Sequence, residues 1–159
     1  MKSFLSLGSN LGNRKLNISI AIKNLETVGK VVRSSQIYET EPWGFDAENN
    51  FFNSVVIFET DLKPQELLAE IKKIEKKMGR IKTQQNYESR IIDIDIIFYN
   101  NFIYQSKELT IPHKFAHKRD FVLEPLNELV PTYIHPVFNL TISELLYNLK
   151  SSQMGVQVQ

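Results

Sequence analysis

The chain has 159 residues, of which 42% are hydrophobic and 11% aromatic, enough to bury the core of one domain. A formal net charge of +1 gives no basis for a nucleic-acid or membrane partner, and the absence of cysteine excludes disulfides and thiolate metal sites. No apolar run approaches the roughly 18 residues of a membrane span, so with no cysteine we expect a cytoplasmic protein. The length favours a single domain over residues 1–159, and the polar residues 151–159 are expected to form a frayed tail.

The predicted elements follow one another in the order β-α-β-β-α-β. Hydrophobic periodicity predicts strands over 2–7, 31–38, 51–60 and 91–98, and helices over 14–28 and 64–78. This order is that of a ferredoxin-like fold, in which helices cover one face of an antiparallel sheet. The sequence therefore favours an α+β fold for the first two thirds of the chain.

The remaining third is predicted to add elements to this core. The asparagine pair 100–101 indicates a turn after which 102–104 would pair with the preceding strand as a hairpin. Thr141 and Glu144 fit the capping box of a last helix near 141–149. These additions would cover the second face of the sheet, and the whole would be a three-layer α/β/α sandwich.

Two aspartates interrupt the most apolar predicted strand, in the stretch ESRIIDIDII (88–97). Because side chains alternate along a strand, Asp93 and Asp95 share one face, roughly 7 Å apart. The other face is predicted to carry Ile92, Ile94, Ile96 and Phe98. Two carboxylates in apolar surroundings either take up a proton or bind a cation, and Mg²⁺ prefers such oxygen ligands. The alternative is an edge strand whose aspartates face water and form surface ion pairs.

Basic residues surround this strand in the sequence: Arg80, Lys82, Arg90, His113, Lys118 and Arg119. Carboxylates that hold a metal, together with such cations, would supply the positioning and charge neutralisation that phosphoryl transfer requires. Arg90 is expected at the start of the strand. His113 follows a proline in a loop, where a histidine without a role would be exposed to solvent.

A second pattern lies in the loop TEPWGFDAENN (40–50) and the strand after it. Phe51 and Asn53 are two residues apart on one predicted strand face, so an aromatic ring and an amide could together bind a flat heteroaromatic ligand. The alternative is that Phe51 belongs to the core. The glycine-bearing stretch GSNLGN (8–13) is not followed by Gly-Lys-Ser/Thr, and we interpret it as a tight strand-to-helix turn.

These motifs, in this order, resemble the 6-hydroxymethyl-7,8-dihydropterin pyrophosphokinase family of folate biosynthesis. The resemblance is carried by LGSNLG at the start, YxTxPxG in the loop, FxN in the third strand, GR after the second helix, RxxDIDII, LTIPH and HKRDF. It implies transfer of the β,γ-pyrophosphoryl group of ATP to the pterin hydroxyl, which leaves AMP. It also implies two Mg²⁺ ions bound by Asp93 and Asp95, and a monomer whose ligands are small molecules.

The same resemblance assigns further residues to the site. The positions expected to bind ATP are Arg80, Lys82, Tyr87, Arg90, Ile96, Thr110, His113 and Arg119. The positions expected to bind the pterin are Thr40, Glu41, Trp43, Phe51, Asn53 and Phe121, with Phe51 and Phe121 stacking on its two faces. Catalysis is assigned to Arg80, Lys82, Arg90, Asp93 and Asp95, and Glu75 lies near the site without a role.

Some positions depart from the family pattern: Asn86, Glu88, Ser89, Glu108 and Lys114. They concern the closure of the loop that contains Tyr87 and its grip on the triphosphate. We expect residues 83–87 to be mobile until both substrates bind.

Two other functions remain open at this point. One is a regulatory domain that senses a nucleotide without chemistry. The other is a Mg²⁺-dependent nucleotidyl transferase that uses the same aspartates and releases pyrophosphate.

Overall fold

The computed structural model describes residues 1–41, 49–79 and 90–158. The strands are β1 (Lys2–Ser9), β2 (Lys30–Ser34), β3 (Tyr38–Thr40), β4 (Phe51–Glu59), β5 (Asp93–Tyr99), β6 (Tyr104–Gln105) and β7 (Thr110–Ile111). The α-helices are α1 (Arg14–Leu25), α2 (Pro64–Lys77), α3 (Asp120–Leu129) and α4 (Ile142–Val158), and a 3₁₀-helix spans Ala116–Lys118. Among these helices, none combines the length and the apolar composition that crossing a lipid bilayer requires.

The main sheet is antiparallel and has the strand order β2-β4-β1-β5, with β3 also paired to β4. The single strand predicted over 31–38 is broken into β2 and β3. The cause is Ser35, whose hydroxyl accepts the backbone N–H of Val55 at 2.9 Å in place of a backbone carbonyl. A side chain that replaces a ladder bond ends regular pairing at that residue.

Two hydrophobic cores lie against the sheet. The first core contains buried residues of α1 and α2, such as Leu25 and Ile71, together with Leu5 and Leu7 of β1. The second core contains residues of α3 and α4 together with Phe4, Val55, Ile57, Ile97 and Phe98 of the sheet. Strand residues therefore alternate between the two cores, as the period of two in a strand requires.

The strand with the two aspartates contains a β-bulge that the sequence did not reveal. Phe4 of β1 pairs with Phe98, but its neighbour Leu5 pairs with Ile96, so Ile97 is an extra residue on β5. Ile97 and Phe98 consequently both reach the second core. The prediction that Phe98 shares a face with Ile94 and Ile96 is wrong, because one extra residue reverses the alternation beyond it.

The predicted hairpin partner of this strand is also wrong. β6 pairs with β7, through Tyr104 opposite Ile111 and Gln105 opposite Thr110. Asn100 has a positive φ of 50°. Its side-chain Oδ1 accepts the N–H of Lys2 at 2.9 Å, and its own N–H donates to the carbonyl of Lys2. Asn100 thus ends the β1–β5 ladder and does not start a new pairing.

The end of the chain forms a longer helix than predicted. The capping box is confirmed, since the N–H of Thr141 donates to Glu144 Oε1 at 3.0 Å and the N–H of Glu144 donates to Thr141 Oγ1 at 3.1 Å. The helix continues from Ile142 to Val158, so residues 151–158 are helical and do not form a separate tail. No proline or glycine follows Leu149 before Gly155, so no helix-stop signal is present there.

Before this helix, residues 133–141 form a compact turn that we call the His135 hairpin. Ile134 bridges to Thr141, and the buried His135 accepts the N–H groups of Val137 and Phe138 on its Nδ1 at 3.1 and 3.2 Å. The imidazole ring meets Phe98 edge-on, with ring centroids 5.4 Å apart. The His135 hairpin closes the second core at the β5 end of the sheet.

Candidate active site

The floor of the candidate site is a row of three residues across the sheet. Gly8 on the central strand β1 lies opposite Asn53 of β4 and opposite Asp93 of β5. Directly opposed residues share a sheet face, so the amide and the carboxylate lie on one surface, about 10 Å apart across two strand spacings. A Cβ at Gly8 would lie 3.1 Å from Asn53 Oδ1, so glycine is what leaves room on this floor.

A cleft of about 470 Å³ opens above this floor. Its walls come from β1, β3, β4, β5, α2 and the segment 108–121. The predicted site residues that line it are Thr40, Glu41, Phe51, Asn53, Arg90, Asp93, Asp95, His113, Arg119 and Phe121. The fold thus brings together residues that are up to 81 positions apart in the sequence, from Thr40 to Phe121. The volume lies within the range of small-molecule sites.

Charge is concentrated along β5. Burial raises the pKa of the Asp95 carboxyl far above its usual range, and the neighbouring Asp93 and Glu75 carboxylates raise it further, against the lowering effect of Arg119 and Arg90. Arg90 Nη1 lies 2.9 Å from Asp93 Oδ1. The structure therefore confirms that Arg90 stands at the start of the strand, and it shows that its guanidinium reaches the aspartates.

Glu75 has a structural contact that the sequence did not suggest. It is buried in α2, and its Oε2 accepts the backbone N–H of Ile94 at 2.8 Å. In the described sheet β5 is an edge strand, so this N–H points away from β1. Because Ile94 lies between the two aspartates, the Glu75 carboxylate fixes the backbone from which both side chains project.

Phe121 and Arg119 enter the cleft from the start of α3. The Arg119 guanidinium carbon lies 5.2 Å from the ring centroid of Phe115 and 5.5 Å from that of Phe121, within cation–π range. Phe121 lines the cleft together with Phe51 of β4. An aromatic ring from the sheet and another from a helix thus border one cavity beside a buried cation.

His113 is not a cation in this site. Burial, together with the nearby Arg119, lowers the pKa of His113 to about 4, against the opposing effect of Asp93. At neutral pH the imidazole is therefore uncharged, and its Nδ1 accepts the N–H of Phe115 at 3.2 Å. The side chain is half-buried, so the alternative of a solvent-exposed loop histidine is wrong.

Asn53 is held in place by its own neighbours. Its Nδ2 donates to Thr40 Oγ1 at 2.6 Å and to the carbonyl of Tyr38 at 3.4 Å. Thr40 is the last residue of β3, opposite Phe51. The amide that was predicted to bind a heteroaromatic ring is thus oriented at one end of the cleft floor.

Not every predicted site residue lies at the cleft. Ile96 is buried in the first core, and Thr110 pairs with Gln105 in the small second sheet, so neither is among the described lining residues. Four other predicted residues lie outside the described residues: Trp43, Arg80, Lys82 and Tyr87. The predicted mobility of 83–87 and the departures at Asn86, Glu88 and Ser89 also lie outside them.

One wall of the cleft and one of its aromatic residues were not predicted from the sequence. Leu68, Ile71 and Lys72 line the cleft from α2, one helical stripe with Glu75. Their spacing of seven, four and three residues from Glu75 places them on one side of the helix, and this was the signal that could have identified them. Phe115 also lines the cleft, but it lies in a segment without periodicity, and no sequence signal pointed to it.

The donor set fits a divalent cation that is shared with a ligand. Among the described residues no group of three or more histidine, aspartate or glutamate side chains is arranged to hold a metal ion. Asp93 and Asp95 nevertheless offer two carboxylates on one face, and a bound cation would offset both the burial and the like-charge repulsion that raise the Asp95 pKa. A metal held by two protein carboxylates and by substrate phosphates is the usual arrangement for Mg²⁺.

A family model and individual relatives of known name all point to the same protein family. The model of the 7,8-dihydro-6-hydroxymethylpterin-pyrophosphokinase family, HPPK, matches residues 4–131. The chain is 43% identical over 141 residues to the 2-amino-4-hydroxy-6-hydroxymethyldihydropteridine pyrophosphokinase of Aquifex aeolicus, covering 89% of this chain and 88% of that protein. It is 43% identical over 137 residues to the Porphyromonas gingivalis protein of the same name, covering 84% and 92%.

Longer proteins contain a similar region. A folic acid synthesis protein of Dictyostelium discoideum is 42% identical over 146 residues, which cover 92% of this chain and 22% of that protein. The crystal structure of Plasmodium falciparum HPPK-DHPS with SDX-DHP superposes with a TM-score of 0.76 and 23% identity, over 99% of this chain and 45% of that chain. The structural likeness concerns the fold.

Proposed function

The chain belongs to the 7,8-dihydro-6-hydroxymethylpterin-pyrophosphokinase family, and on that premise we propose how its cleft carries out pyrophosphoryl transfer. ATP donates its β,γ-pyrophosphoryl group to the hydroxymethyl group of 6-hydroxymethyl-7,8-dihydropterin in folate synthesis, and AMP leaves. The observation that carries this proposal is the row Asn53–Gly8–Asp93, which joins a ring-binding amide to a carboxylate pair on one floor. Both substrates can thus lie side by side within the one cleft.

The pterin would occupy the Asn53 end of the cleft. Its ring would lie against Phe51 and Phe121, and its polar edge would meet Asn53, Thr40 and Glu41, all of which line the cavity. Stacking on aromatic rings restricts a flat ligand to one plane, and an oriented amide selects its rotation in that plane. The hydroxymethyl group would then extend along the floor toward β5.

The triphosphate of ATP would occupy the β5 end. Arg90 and Arg119 line the cleft, as do Lys72 and Lys114, and the two arginines are the cations that lower the pKa of Asp95. The uncharged His113 could donate a hydrogen bond through its Nε2 to a phosphate oxygen without adding charge. We keep Arg80, Lys82, Tyr87 and Thr110 as proposed ATP-binding residues, and Ile96 as a proposed adenine contact through its backbone.

Two Mg²⁺ ions are proposed, with Asp93 and Asp95 as their protein ligands. When bound, the metal supplies charge neutralisation and orientation of the polyphosphate. The support for this is the paired carboxylates and the raised Asp95 pKa described above. The burial of Asp95 and its backbone restraint through Glu75 would hold the carboxylates in place before the substrates arrive.

The reaction is proposed to be a single in-line displacement. The pterin hydroxyl oxygen forms a bond to the β-phosphorus, the bond from that phosphorus to the α,β-bridging oxygen breaks, and AMP leaves with the bond's electron pair. The hydroxyl proton is released as the new bond forms, and a loose transition state needs little help from a base. Catalysis would then depend mainly on positioning and on the charges of Arg90 and Arg119.

Three further features belong to the proposal. We infer a ferredoxin-like plan within a three-layer α/β/α sandwich, which is supported by the strand order β2-β4-β1-β5 and by the two cores. We also propose a monomer that acts in the cytoplasm without a nucleic-acid or membrane partner, in keeping with a net charge of +1 and no cysteine. Light scattering of the purified protein would test the monomer.

The test of the reaction is the identity of the nucleotide product. The purified protein is incubated with ATP and Mg²⁺, with and without hydroxymethyldihydropterin, and AMP and pyrophosphate are separated by ion-exchange chromatography. We expect AMP to form only when the pterin is present and to disappear when EDTA chelates the metal. Release of pyrophosphate would indicate a nucleotidyl transferase, and AMP formation that ignores the pterin would contradict the proposal.

A further inference from the structure

Asn10 is a buried polar residue in the turn after β1, outside the groups to which the reaction has been assigned. Its residue exposure is 0%, although it lies between the exposed Leu11 and the end of a strand. An amide side chain is buried at this level only when hydrogen bonds replace its lost contacts with water. The partner of Asn10 across the fold therefore indicates what the residue does.

That partner is the backbone of Arg90. Asn10 Oδ1 accepts the Arg90 N–H at 2.6 Å, and the Asn10 N–H donates to the Arg90 carbonyl at 3.0 Å. Both hydrogen-bonding groups of the Arg90 main chain are thus held by one residue. The two residues are 80 positions apart in the sequence, so this clamp is a tertiary contact and not a local turn.

Arg90 is the position where such a clamp has an effect. The β1–β5 ladder begins at Gly8 opposite Asp93, so within the described ladder the backbone of Arg90 lies before the first strand pair. Its guanidinium, with 17% of the side chain exposed, must nevertheless meet the Asp93 carboxylate at 2.9 Å and face the cleft. A long side chain can be aimed this way only if the backbone from which it extends is fixed.

We propose that Asn10 is a positioning residue for the reaction, which acts through Arg90 on the polyphosphate of the nucleotide. The inference rests on the proposed function for the identity of that ligand. The side-chain oxygen of Asn10 holds the Arg90 backbone so that the guanidinium is directed at Asp93 and at the phosphates before ATP binds. The turn GSNLGN would thus act on nucleotide binding through Arg90.

The kinetic test replaces the acceptor while the shape is kept. Asn10→Leu removes the oxygen, and we expect kcat/KM for ATP to fall roughly ten-fold or more, because the ordering of Arg90 must then be achieved on binding. Asn10→Asp retains an oxygen at the same position and should recover most of that loss. Asn17→Leu is the matched control, because Asn17 Nδ2 bonds Ser9 and Leu11 in the same turn without contacting Arg90.

A second arm asks whether the effect passes through the arginine. In an Arg90→Ala background, Asn10→Ser should change kcat/KM for ATP by less than about two-fold, although Asn10→Ser alone is expected to lower it several-fold. Equal losses in both backgrounds, or equal losses for Asn10→Leu and Asn10→Asp, would overturn the proposal. So would wild-type constants in a folded Asn10→Leu protein. If Asn10→Leu does not fold, Asn10→Ser replaces it in the kinetic test.

The third arm does not depend on activity. Amide hydrogen exchange of Arg90, measured by NMR on ¹⁵N-labelled protein, should be slow in the wild type and in Asn17→Leu and fast in Asn10→Ser. Fast exchange in the wild type would overturn the clamp itself. If the clamp is present but AMP is not formed from ATP with the pterin, the proposed function fails and the structural part of the inference stands.

Discussion

The cleft and the His135 hairpin are two polar centres buried beside the same strand, and they are built in opposite ways. In the hairpin, the acceptor nitrogen of His135 receives two backbone N–H groups from the next three residues, and no formal charge is involved. In the cleft, Asp93 and Asp95 lie near Glu75, with Arg90 and Arg119 as counter-charges. The polar groups of the hairpin satisfy one another, whereas in the cleft burial and neighbouring carboxylates disfavour the ionised form of Asp95, which a bound cation would stabilise.

The sharpest test of this difference is Asp95→Asn, which should lower turnover by at least three orders of magnitude, about 4 kcal/mol in activation free energy. The same change should leave the free energy of unfolding equal or raise it, because burial and then the Asp93 charge disfavour an ionised group at this position, and an amide carries no charge. AMP release and urea unfolding are measured on the same preparations. Asp61→Asn, at an exposed position before α2, is the control. Normal turnover in the folded variant would refute the metal role.

Beside the hairpin we expect a substitution to lower the stability of the fold. Phe98→Ala removes a ring that is 1% exposed and lies with its centroid 4.7 Å from Tyr133 and 5.9 Å from Phe4. We expect the free energy of unfolding to fall by about 3 to 4 kcal/mol. Urea unfolding monitored by circular dichroism measures this loss. A loss below about 1 kcal/mol would show that the second core repacks around the missing ring.

Within the cleft, the two substrates should be separable. Phe121→Ala should weaken pterin binding by about ten- to one-hundred-fold, about 1.4 to 2.7 kcal/mol, through lost stacking and buried area, while ATP binding changes little. Titration calorimetry with each ligand measures both affinities. The matched control is Phe102→Ala, at a 43% exposed aromatic away from the cleft. Equal losses for the pterin and for ATP would argue against stacking.

The smallest effect concerns pH and the hairpin. Burial, together with the nearby His117, lowers the pKa of His135 to about 4, against 6.5 for an ordinary histidine. Between these values the unfolded chain takes up a proton that the folded chain does not, so stability falls as the pH falls from 6.5 toward 4.

His135→Asn removes this titration and keeps an acceptor for the two N–H groups. The wild type should lose roughly 1 to 2 kcal/mol more than the variant between about pH 7 and pH 5. Urea unfolding at the two values checks this. The lowered pKa of His113 contributes in the same direction in both proteins, so only the difference is informative. Parallel losses would show that His135 does not titrate in this window.

The two regions also differ in how far the sequence predicted them. The alternation of side chains correctly placed Asp93 and Asp95 on one face, because everything that decides it lies within a few residues. The capping box at Thr141 and Glu144 was predicted for the same reason. The break at Ser35 and the bulge at Ile97 depend on which residue lies opposite on another strand, and the neighbouring residues in the sequence do not determine that pairing.

Residues of the cleft that belong to a local sequence motif were predicted, whereas residues that reach the cleft only through the tertiary fold were missed. Phe51 and Asn53 followed from their spacing on one strand, while Phe121 came only from the resemblance to the family. Phe115 and the stripe on α2 reach the cleft because helices and loops from distant parts of the chain converge there. Asn10 was interpreted as part of a turn, because its partner Arg90 is known only once the chain is folded.

The bulge at Ile97 has a consequence for how this chain tolerates changes in length. The extra residue lies after both aspartates, so it resets the facing of Ile97 and Phe98 without disturbing Asp93 or Asp95. A codon gained or lost downstream of the bulge could be absorbed there. A codon gained or lost between Arg90 and Asp95 would turn a carboxylate toward the first hydrophobic core. The two halves of β5 should therefore differ in how well they tolerate insertions and deletions.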